Sequence, residues 1–302
     1  MDQYGYLSKV HSIRSAAFLL VIMLFISGCS STRLAYRYAD WGIVWWVEDF
    51  VSLSQTQEQQ LDDDIESLKR WHCSSELPRY RAWLSSIESD LASGKPTPEA
   101  VSRLQNQIAG FFPPLMQKIT PVAINLLSSL SDEQVRELAG NMEENHRELE
   151  GEFLEGDAET IAQARAERTE ERAERWLGSL NATQKSLIKN WSESRKGQTE
   201  IWLAGRRNWQ KALLNALENR NDPDFDATVT ELINNPEAGR GDAYAQRIDE
   251  SMAAMSSLIQ QLLQASDASH LDHLARQVSE LRGDFKALTC VSGSEVASHI
   301  YK

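Results

Sequence analysis

The sequence predicts an all-α fold: a multi-helix body with a long antiparallel helical hairpin. Apolar residues recur at three- and four-residue intervals along most of the chain, which is the period of a helix packed by one face. No run alternates apolar and polar residues as a half-buried strand does, and no Asn-Gly pair marks a tight hairpin turn. Signals for helix starts, in contrast, recur throughout.

The first 28 residues carry the parts of a bacterial lipoprotein signal peptide. Lys9 and Arg14 make its start basic, and an apolar run follows that is too short to span a bilayer as a mature helix. The sequence Ile-Ser-Gly-Cys at 26–29 then matches a lipobox, in which small residues precede the cysteine that is lipidated. We therefore expect cleavage after Gly28 and attachment of acyl chains, palmitate among them, to Cys29.

The residues around this cysteine and the overall charge predict location and partners. Ser30 rather than aspartate follows the cysteine, which in Gram-negative sorting favours the outer membrane, on its periplasmic face. The chain carries a charge of −13, and loss of Asp2, Lys9 and Arg14 with the signal peptide takes it to about −14. So acidic a chain argues against nucleic acid or anionic lipid headgroups as partners. We expect two partners: the membrane, through the lipid, and another envelope protein.

A lipidated tether is predicted over 29–35 and an N-terminal helical region over 36–128. The region opens on a tryptophan-rich segment, after which Ser54 and Gln57 have the spacing of a capping box. Proline near the start marks later helices. The apolar positions that recur at helical spacing are Leu61, Ile65, Leu68, Trp71, Leu77, Tyr80, Leu84, Ile87, Leu91, Val101, Leu104 and Ile108.

The helical hairpin is predicted over 129–220. Ser131 and Gln134 have capping-box spacing at the start of its first arm, a long and highly charged helix. Asn181 and Gln184 have the same spacing at the start of the second arm. Because the link between the arms is short, we expect them to pack antiparallel.

The pattern Leu-[Ser/Asn]-x-x-Gln occurs three times, beginning at Leu53, Leu130 and Leu180. Its intervals are 77 and 50 residues (130 − 53 and 180 − 130), so it is not a regular structural repeat. As local chemistry, each copy is an N-cap with a glutamine that bonds back to it. The pattern also resembles the Leu-Thr-x-x-Gln motif of Spy-like periplasmic chaperones. That resemblance implies a chaperone that holds unfolded envelope proteins.

Two cysteines remain in the mature chain, Cys73 and Cys290, the second within a C-terminal helical region predicted over 221–302. The periplasm is oxidising, so a disulfide between them is possible. It would close a loop of 217 residues (290 − 73), which the chain-entropy model equates with roughly 5 kcal/mol. The sequence leaves the bonded and the free thiols as open alternatives.

Aromatic, histidine and carboxylate side chains concentrate between residues 38 and 80. The members of this candidate binding patch are Asp40, Trp41, Trp45, Trp46, Trp71, His72, Glu76 and Tyr80. In one interpretation they form a core, where the rings pack and the polar groups satisfy buried partners. In the other they line a groove beside the membrane, where the tryptophans bind a partner protein or an acyl chain.

Three elements of the sequence resemble an uncharacterised family of predicted Gram-negative lipoproteins, a domain of unknown function. They are the lipobox, the Ala-Asp-Trp segment at 39–41, and Trp-His at 71–72 followed by Glu-Leu-Pro-x-Tyr at 76–80. The resemblance implies a periplasmic helical lipoprotein and supplies no activity. Where the family has a basic residue after Trp-His, this chain has Cys73, which favours a disulfide particular to this protein.

No catalytic residue, metal site or cofactor is predicted. His72 and Cys73 are adjacent, but neighbouring residues of a helix point in different directions, whereas a Cys–His nucleophile needs them to face each other. His270 and His273 have a spacing that can share a metal, with Asp267 as a third ligand, yet such a pair more often lies on a solvated face. The chain has no glycine-rich phosphate loop, G-x-S-x-G or H-E-x-x-H.

We therefore expect a non-enzymatic, lipid-anchored periplasmic protein that binds envelope proteins as an adaptor or assembly factor. The alternative is a Spy-like holding chaperone, and a hydrolase of envelope material is a third class. A flat, tryptophan-centred patch would favour the adaptor, and a concave apolar surface rimmed by charge the chaperone. A facing Cys73–His72 pair would favour the hydrolase.

Overall fold

The computed structural model describes residues 31–290, all of whose regular elements are helices, which confirms the all-α fold. The predicted signal peptide with Gly28 and the expected lipidation site Cys29 lie outside these residues. None of the described helices has the length and apolarity needed to cross a membrane. In chain order the helices are α1 (Ser31–Arg37), α2 (Ala39–Glu48), α3 (Gln55–Trp71), a π-helix (His72–Glu76), α4 (Leu77–Ala92), α5 (Pro98–Ala109), α6 (Phe112–Ser128), α7 (Asp132–Leu154), α8 (Ala158–Leu177), α9 (Ala182–Glu193), α10 (Gln198–Glu218), α11 (Phe225–Asn234), α12 (Pro236–Arg240), α13 (Asp242–Gln264) and α14 (Ala268–Leu288).

The segment expected to be a tether, 29–35, is helical from Ser31 onwards. Helix α1 packs on α14, where the Nε atom of Arg33 lies 2.6 Å from Oδ1 of the buried Asp284. Helix α2 follows after a single residue and buries Val44 against α3. The buried carboxylate needs a cationic partner, so the start of the described chain is part of the folded body.

Both arms of the predicted hairpin are present, but each consists of two helices. Helix α7 packs on α10, and α8 packs on α9. The first arm is interrupted at Gly156, where φ is +95°, and the second at Gly197, where φ is +75°. Glycine reaches this left-handed region at little cost, and other residues rarely do. The composition of the highly charged first arm therefore predicts one continuous helix, but a single glycine, Gly156, divides it into two.

The buried apolar side chains form separate clusters at the two ends of the hairpin. One cluster joins α7, α10 and α11 through Leu130, Val135, Leu138, Leu213, Leu217, Phe225, Val229 and Leu232, and partly buried residues of α6 pack against it. The other joins α8, α9 and α13 through Ala166, Leu177, Leu180, Ile188, Leu258 and Leu262. Helix α14 packs along α4, so the C-terminal region completes the N-terminal region.

The capping boxes of α3 and α7 face each other and bond across their interface. Gln57 Nε2 donates to the carbonyl of Ser129 (2.9 Å), and Gln134 Nε2 donates to the carbonyl of Ser52 (2.8 Å). The Oε1 atom of each glutamine still accepts the backbone N–H of its own N-cap. Gln134 Nε2 also lies 2.7 Å from Gln57 Oε1. A side-chain amide has both a donor and an acceptor group. Each glutamine can therefore accept a hydrogen bond from its own N-cap and donate one to the neighbouring chain segment.

A second pair of capping boxes joins α9 to α14. The box of α14 was not anticipated, because histidine, His270, takes the place of glutamine there. Its Nε2 atom lies 3.0 Å from the carbonyl oxygen of Ser179, just before α9. Gln184 of the α9 box is fully buried and donates to the carbonyl of Leu262 (3.2 Å) and to the hydroxyl of Ser266 (3.1 Å). The recurring pattern therefore both starts helices and docks them.

The sulfur atoms of Cys73 and Cys290 are bonded, 2.06 Å apart. Cys73 lies in the π-helix, and Cys290 follows α14. The backbone N–H of Cys290 also donates to the carbonyl of Cys73, at 3.2 Å. The disulfide that the sequence left open is thus present, and it joins the last described residue to the π-helix that precedes α4.

We expect Gln184→Ala to lower the free energy of unfolding by about 2–3 kcal/mol, because it removes a buried amide and leaves the groups it bonded unsatisfied. Thr97→Ala is the matched control, since Thr97 is the simple N-cap of α5, and about 1 kcal/mol is expected there. Urea unfolding followed by circular dichroism measures both. Equal losses would mean that the contact between capping boxes adds no stability.

We expect the double variant Cys73→Ser/Cys290→Ser to lose roughly 5 kcal/mol of unfolding free energy, because the unfolded chain regains the entropy of the open loop. A reductant should lower the melting temperature of the wild type and leave that of the double variant unchanged. Alkylation under denaturing, non-reducing conditions should label neither cysteine of the wild type. Full labelling of both would contradict the bond.

Candidate functional site

The candidate binding patch divides into two groups that differ in exposure. Trp41, Trp45 and Trp46 of α2 are exposed, with 70%, 56% and 61% of their surface accessible to solvent. Trp71, His72, Glu76 and Tyr80 are buried or half-buried around the π-helix. Asp40 is half-buried between them and bonds to Lys69 (3.1 Å). The interpretation as a packed core therefore applies to the residues around the π-helix, and the interpretation as a binding surface applies to the tryptophans of α2.

The exposed group belongs to a continuous apolar surface, here called the tryptophan stripe. Its members are Leu34, Tyr38, Trp41 and Trp45, with Trp46 beside them, and all are exposed. Spacings of four, three and four residues place the first four on one face of the α1–α2 segment. The rings of Trp41 and Trp45 stack with their planes 5° apart and their centroids 6.2 Å apart. The side chains of the stripe are turned to solvent.

Polar contacts fix the orientation of the stripe on the body. The hydroxyl of Tyr36 lies 3.1 Å from Nδ1 of His72. The ammonium of Lys69 donates to the carbonyl of Arg37 (2.9 Å) and to the carboxylate of Asp40. Together with the Arg33 ion pair, these contacts hold the segment from the side opposite the stripe.

The half-buried group forms an aromatic cluster beside the disulfide. The ring centroid of His72 lies 5.4 Å from that of Tyr80, which in turn lies 4.6 Å from the ring of Phe111. Burial lowers the pKa of the His72 imidazole. Burial, and secondarily the neighbouring Tyr80, raises the pKa of Tyr36 to about 12. With Cys73 in a disulfide, the adjacent imidazole has no thiol to activate.

An apolar cavity of about 460 Å³ lies between α4, α5, α8, α13 and α14. The sequence did not predict it. Its buried wall consists of Leu84, Val101, Leu104, Leu177, Leu258, Leu262 and Val278. Its exposed rim has Trp176, Met255 and Ile259, with Asp90 and Arg172 also lining it. The one available signal is Trp176, a large ring that ends an alanine- and charge-rich helix.

The two histidines considered as metal ligands bond instead to backbone carbonyls and, at His270, to the carboxylate of Asp267. His270 Nδ1 lies 2.6 Å from Oδ1 of Asp267 within the capping box, and its Nε2 faces the carbonyl of Ser179. His273 Nε2 lies 3.2 Å from the carbonyl oxygen of Arg175. Across residues 31–290, no three His, Cys, Asp or Glu side chains converge as a metal site requires.

We expect the free energy of unfolding to fall as the pH drops below about 6.5, the ordinary pKa of histidine. The folded-state pKa of His72 is depressed, so the unfolded chain binds its proton first and the stabilising contribution is lost on acidification. His72→Gln removes this titration and keeps a polar partner for Tyr36. Urea unfolding at pH 7, 6 and 5 should show a smaller fall in the variant. Parallel profiles for the two proteins would contradict this.

A protein-family model described as a family of unknown function (DUF6279) matches residues 49–245. The match includes Trp-His at 71–72, Glu-Leu-Pro-x-Tyr at 76–80 and both arms of the hairpin, while α1, α2 and the lipobox precede it. No curated protein and no solved structure matches the chain. Because the matched residues make up more than half of the sequence, the chain belongs to the family of unknown function DUF6279.

Proposed function

We propose that this protein is a lipid-anchored lipoprotein on the periplasmic face of the Gram-negative outer membrane, where it binds another envelope protein as an adaptor or assembly factor. The lipobox with Cys29 and the signal peptide before it support the anchor. The Cys73–Cys290 bond supports an oxidising compartment, because structural disulfides are rare in the cytosol.

The observation that carries the binding function is the apolar cavity and its exposed rim. Binding pockets typically measure about 300–1,000 Å³ and have mostly apolar linings, and the cavity of about 460 Å³ falls in that range. Aromatic residues and methionine are enriched at protein interfaces, and binding energy concentrates where an apolar anchor fills a desolvated pocket. Trp176 and Met255 on the rim and leucines on the wall fit this chemistry. We therefore propose that the partner inserts an apolar side chain here.

The cavity is concave, apolar and lined in part by Asp90 and Arg172, which is the shape expected of the holding chaperone, but its size favours the adaptor instead. A cavity of this volume admits a few side chains, whereas a holding chaperone must cover extended unfolded segments. The chaperone alternative also rested on the Leu-[Ser/Asn]-x-x-Gln pattern. Its glutamines bond to other helix ends, and Gln184 is fully buried, so the pattern has a structural role that requires no client.

The hydrolase alternative loses its strongest feature. A cysteine nucleophile acts as a free thiolate. Cys73 is bonded to Cys290, and the neighbouring imidazole of His72 faces the hydroxyl of Tyr36 instead. The geometry of this pair thus supports fastening of α1 and α14 rather than catalysis.

Photo-crosslinking in cells tests the proposal, with a reactive residue in place of Met255 on the rim. The control position is Lys211, which is exposed on α10 and does not line the cavity. One discrete protein product from the rim, absent from the control, would support the adaptor. A broad smear that intensifies under heat stress would support the chaperone instead, and a lipid adduct would contradict a protein partner.

We expect Met255→Glu to weaken binding of the crosslinked partner by at least about 30-fold, or about 2 kcal/mol, because a charge on the rim must be desolvated. Met252→Glu is the matched control: Met252 is also exposed on α13, but lies outside the cavity. Titration of the purified partner measures both affinities. Equal effects of the two substitutions would locate binding elsewhere.

A further inference from the structure

We propose that α1 and α2 lie along the surface of the membrane that holds the protein, with the tryptophan stripe inserted among the lipid headgroups. The inference rests on the lipid anchor of the proposed function and assigns it a second, non-covalent contact with the bilayer. The ligand of the stripe is therefore a phospholipid surface rather than a protein.

The side chains of the stripe have the chemistry of a membrane interface. Tryptophan and tyrosine pair an apolar ring with a polar N–H or O–H group, and both are enriched at the headgroup level of bilayers. Tyr38, Trp41 and Trp45 supply three such groups on one exposed surface, and the adjacent Trp46 is exposed as well. Burying this surface in the headgroup region removes apolar area from water and leaves the ring polar groups hydrated.

The position of the stripe in the chain brings it to the bilayer. Helix α1 begins at Ser31, two residues after the lipidation site, and two residues span at most about 7 Å. The helix rise of about 1.5 Å per residue puts Trp45 roughly 21 Å farther along the segment. A lipid on Cys29 therefore holds the whole stripe close to the membrane.

The distribution of charge and the fastening of the segment favour this orientation. Arg33 of α1 is paired with Asp284, but Arg37 is exposed, and α1 has no acidic residue in a chain whose net charge is −13. Cationic side chains near the surface are attracted to anionic lipid phosphates, and the acidic remainder is repelled. Asp40, the first carboxylate of α2, is paired with Lys69. Because the contacts to Asp284 and Lys69 hold the opposite side, the stripe cannot turn into the body.

Depth-sensitive fluorescence quenching tests the inference. The lipidated, full mature chain is reconstituted into phosphatidylethanolamine/phosphatidylglycerol vesicles, with and without bromine on the acyl chains. The stripe and the adjacent Trp46 together hold three of the nine tryptophans. At equal quantum yields, bromine should therefore remove up to about one third of the emission. The triple variant Trp41→Phe/Trp45→Phe/Trp46→Phe should lose this quenching, whereas Trp176→Phe, a change on the cavity rim, should retain it.

Flotation of the same vesicles separates the possible failures. Protein that floats with the vesicles but shows no bromine quenching would overturn the inference while leaving the anchor in place. Protein that does not float would overturn the anchor and the stripe contact together. In cells, a discrete protein crosslink from a reactive residue at Trp45 would overturn the inference by showing that a partner protein covers the stripe. Unchanged thermal unfolding of the triple variant verifies that it is folded.

Discussion

Helix ends are the constraint on which this all-α body depends. Each helix leaves about four amide donors unpaired at its start and four carbonyls at its end, and this body brings several such ends into contact with one another. The chain satisfies them with side chains that bond in two directions. Gln57 and Gln134 each accept from their own N-cap and donate to the chain segment that leads into the other's helix. Where such an end is buried, as at Gln184, an unmet polar group would cost about 1–3 kcal/mol.

These paired caps also position the proposed binding cavity. The carbonyl of Leu262 accepts from the buried Gln184, and the side chain of the same leucine lines the cavity. The Ser179–His270 contact meanwhile joins the start of α9 to the start of α14, whose Val278 lines the opposite part of the wall. A cap that is lost there would move α13 and α14 relative to α8. The rigidity of the cavity thus depends on hydrogen bonds outside it.

A second set of contacts gathers the two ends of the described chain at one place. Arg33 pairs with Asp284 near the end of α14, and the Cys73–Cys290 bond fastens the residue that follows α14 to the π-helix. His72, next to that bond, contacts Tyr36 of α1. A segment that starts two residues from an expected lipid anchor is therefore continuous with the rigid body. In the proposed arrangement on the membrane, the orientation of the stripe carries over to the body and its cavity.

Features that depend on local chemistry could be predicted from the sequence. Apolar spacing and the capping residues Ser54, Ser131 and Asn181 were sufficient for the all-α fold and for three helix starts, because a cap acts within one turn of its helix. Contacts across long separations in the chain could not be predicted in this way. These contacts form the pairs of capping boxes and the cavity behind Trp176. The difference between the exposed Trp41 and Trp45 and the packed Trp71 and Tyr80 also appears only in the folded chain. The tertiary structure also divides both hairpin arms at Gly156 and Gly197. The physical reason is that spacing along the chain gives the face of each helix but not the helix that covers it, and burial depends on that neighbour.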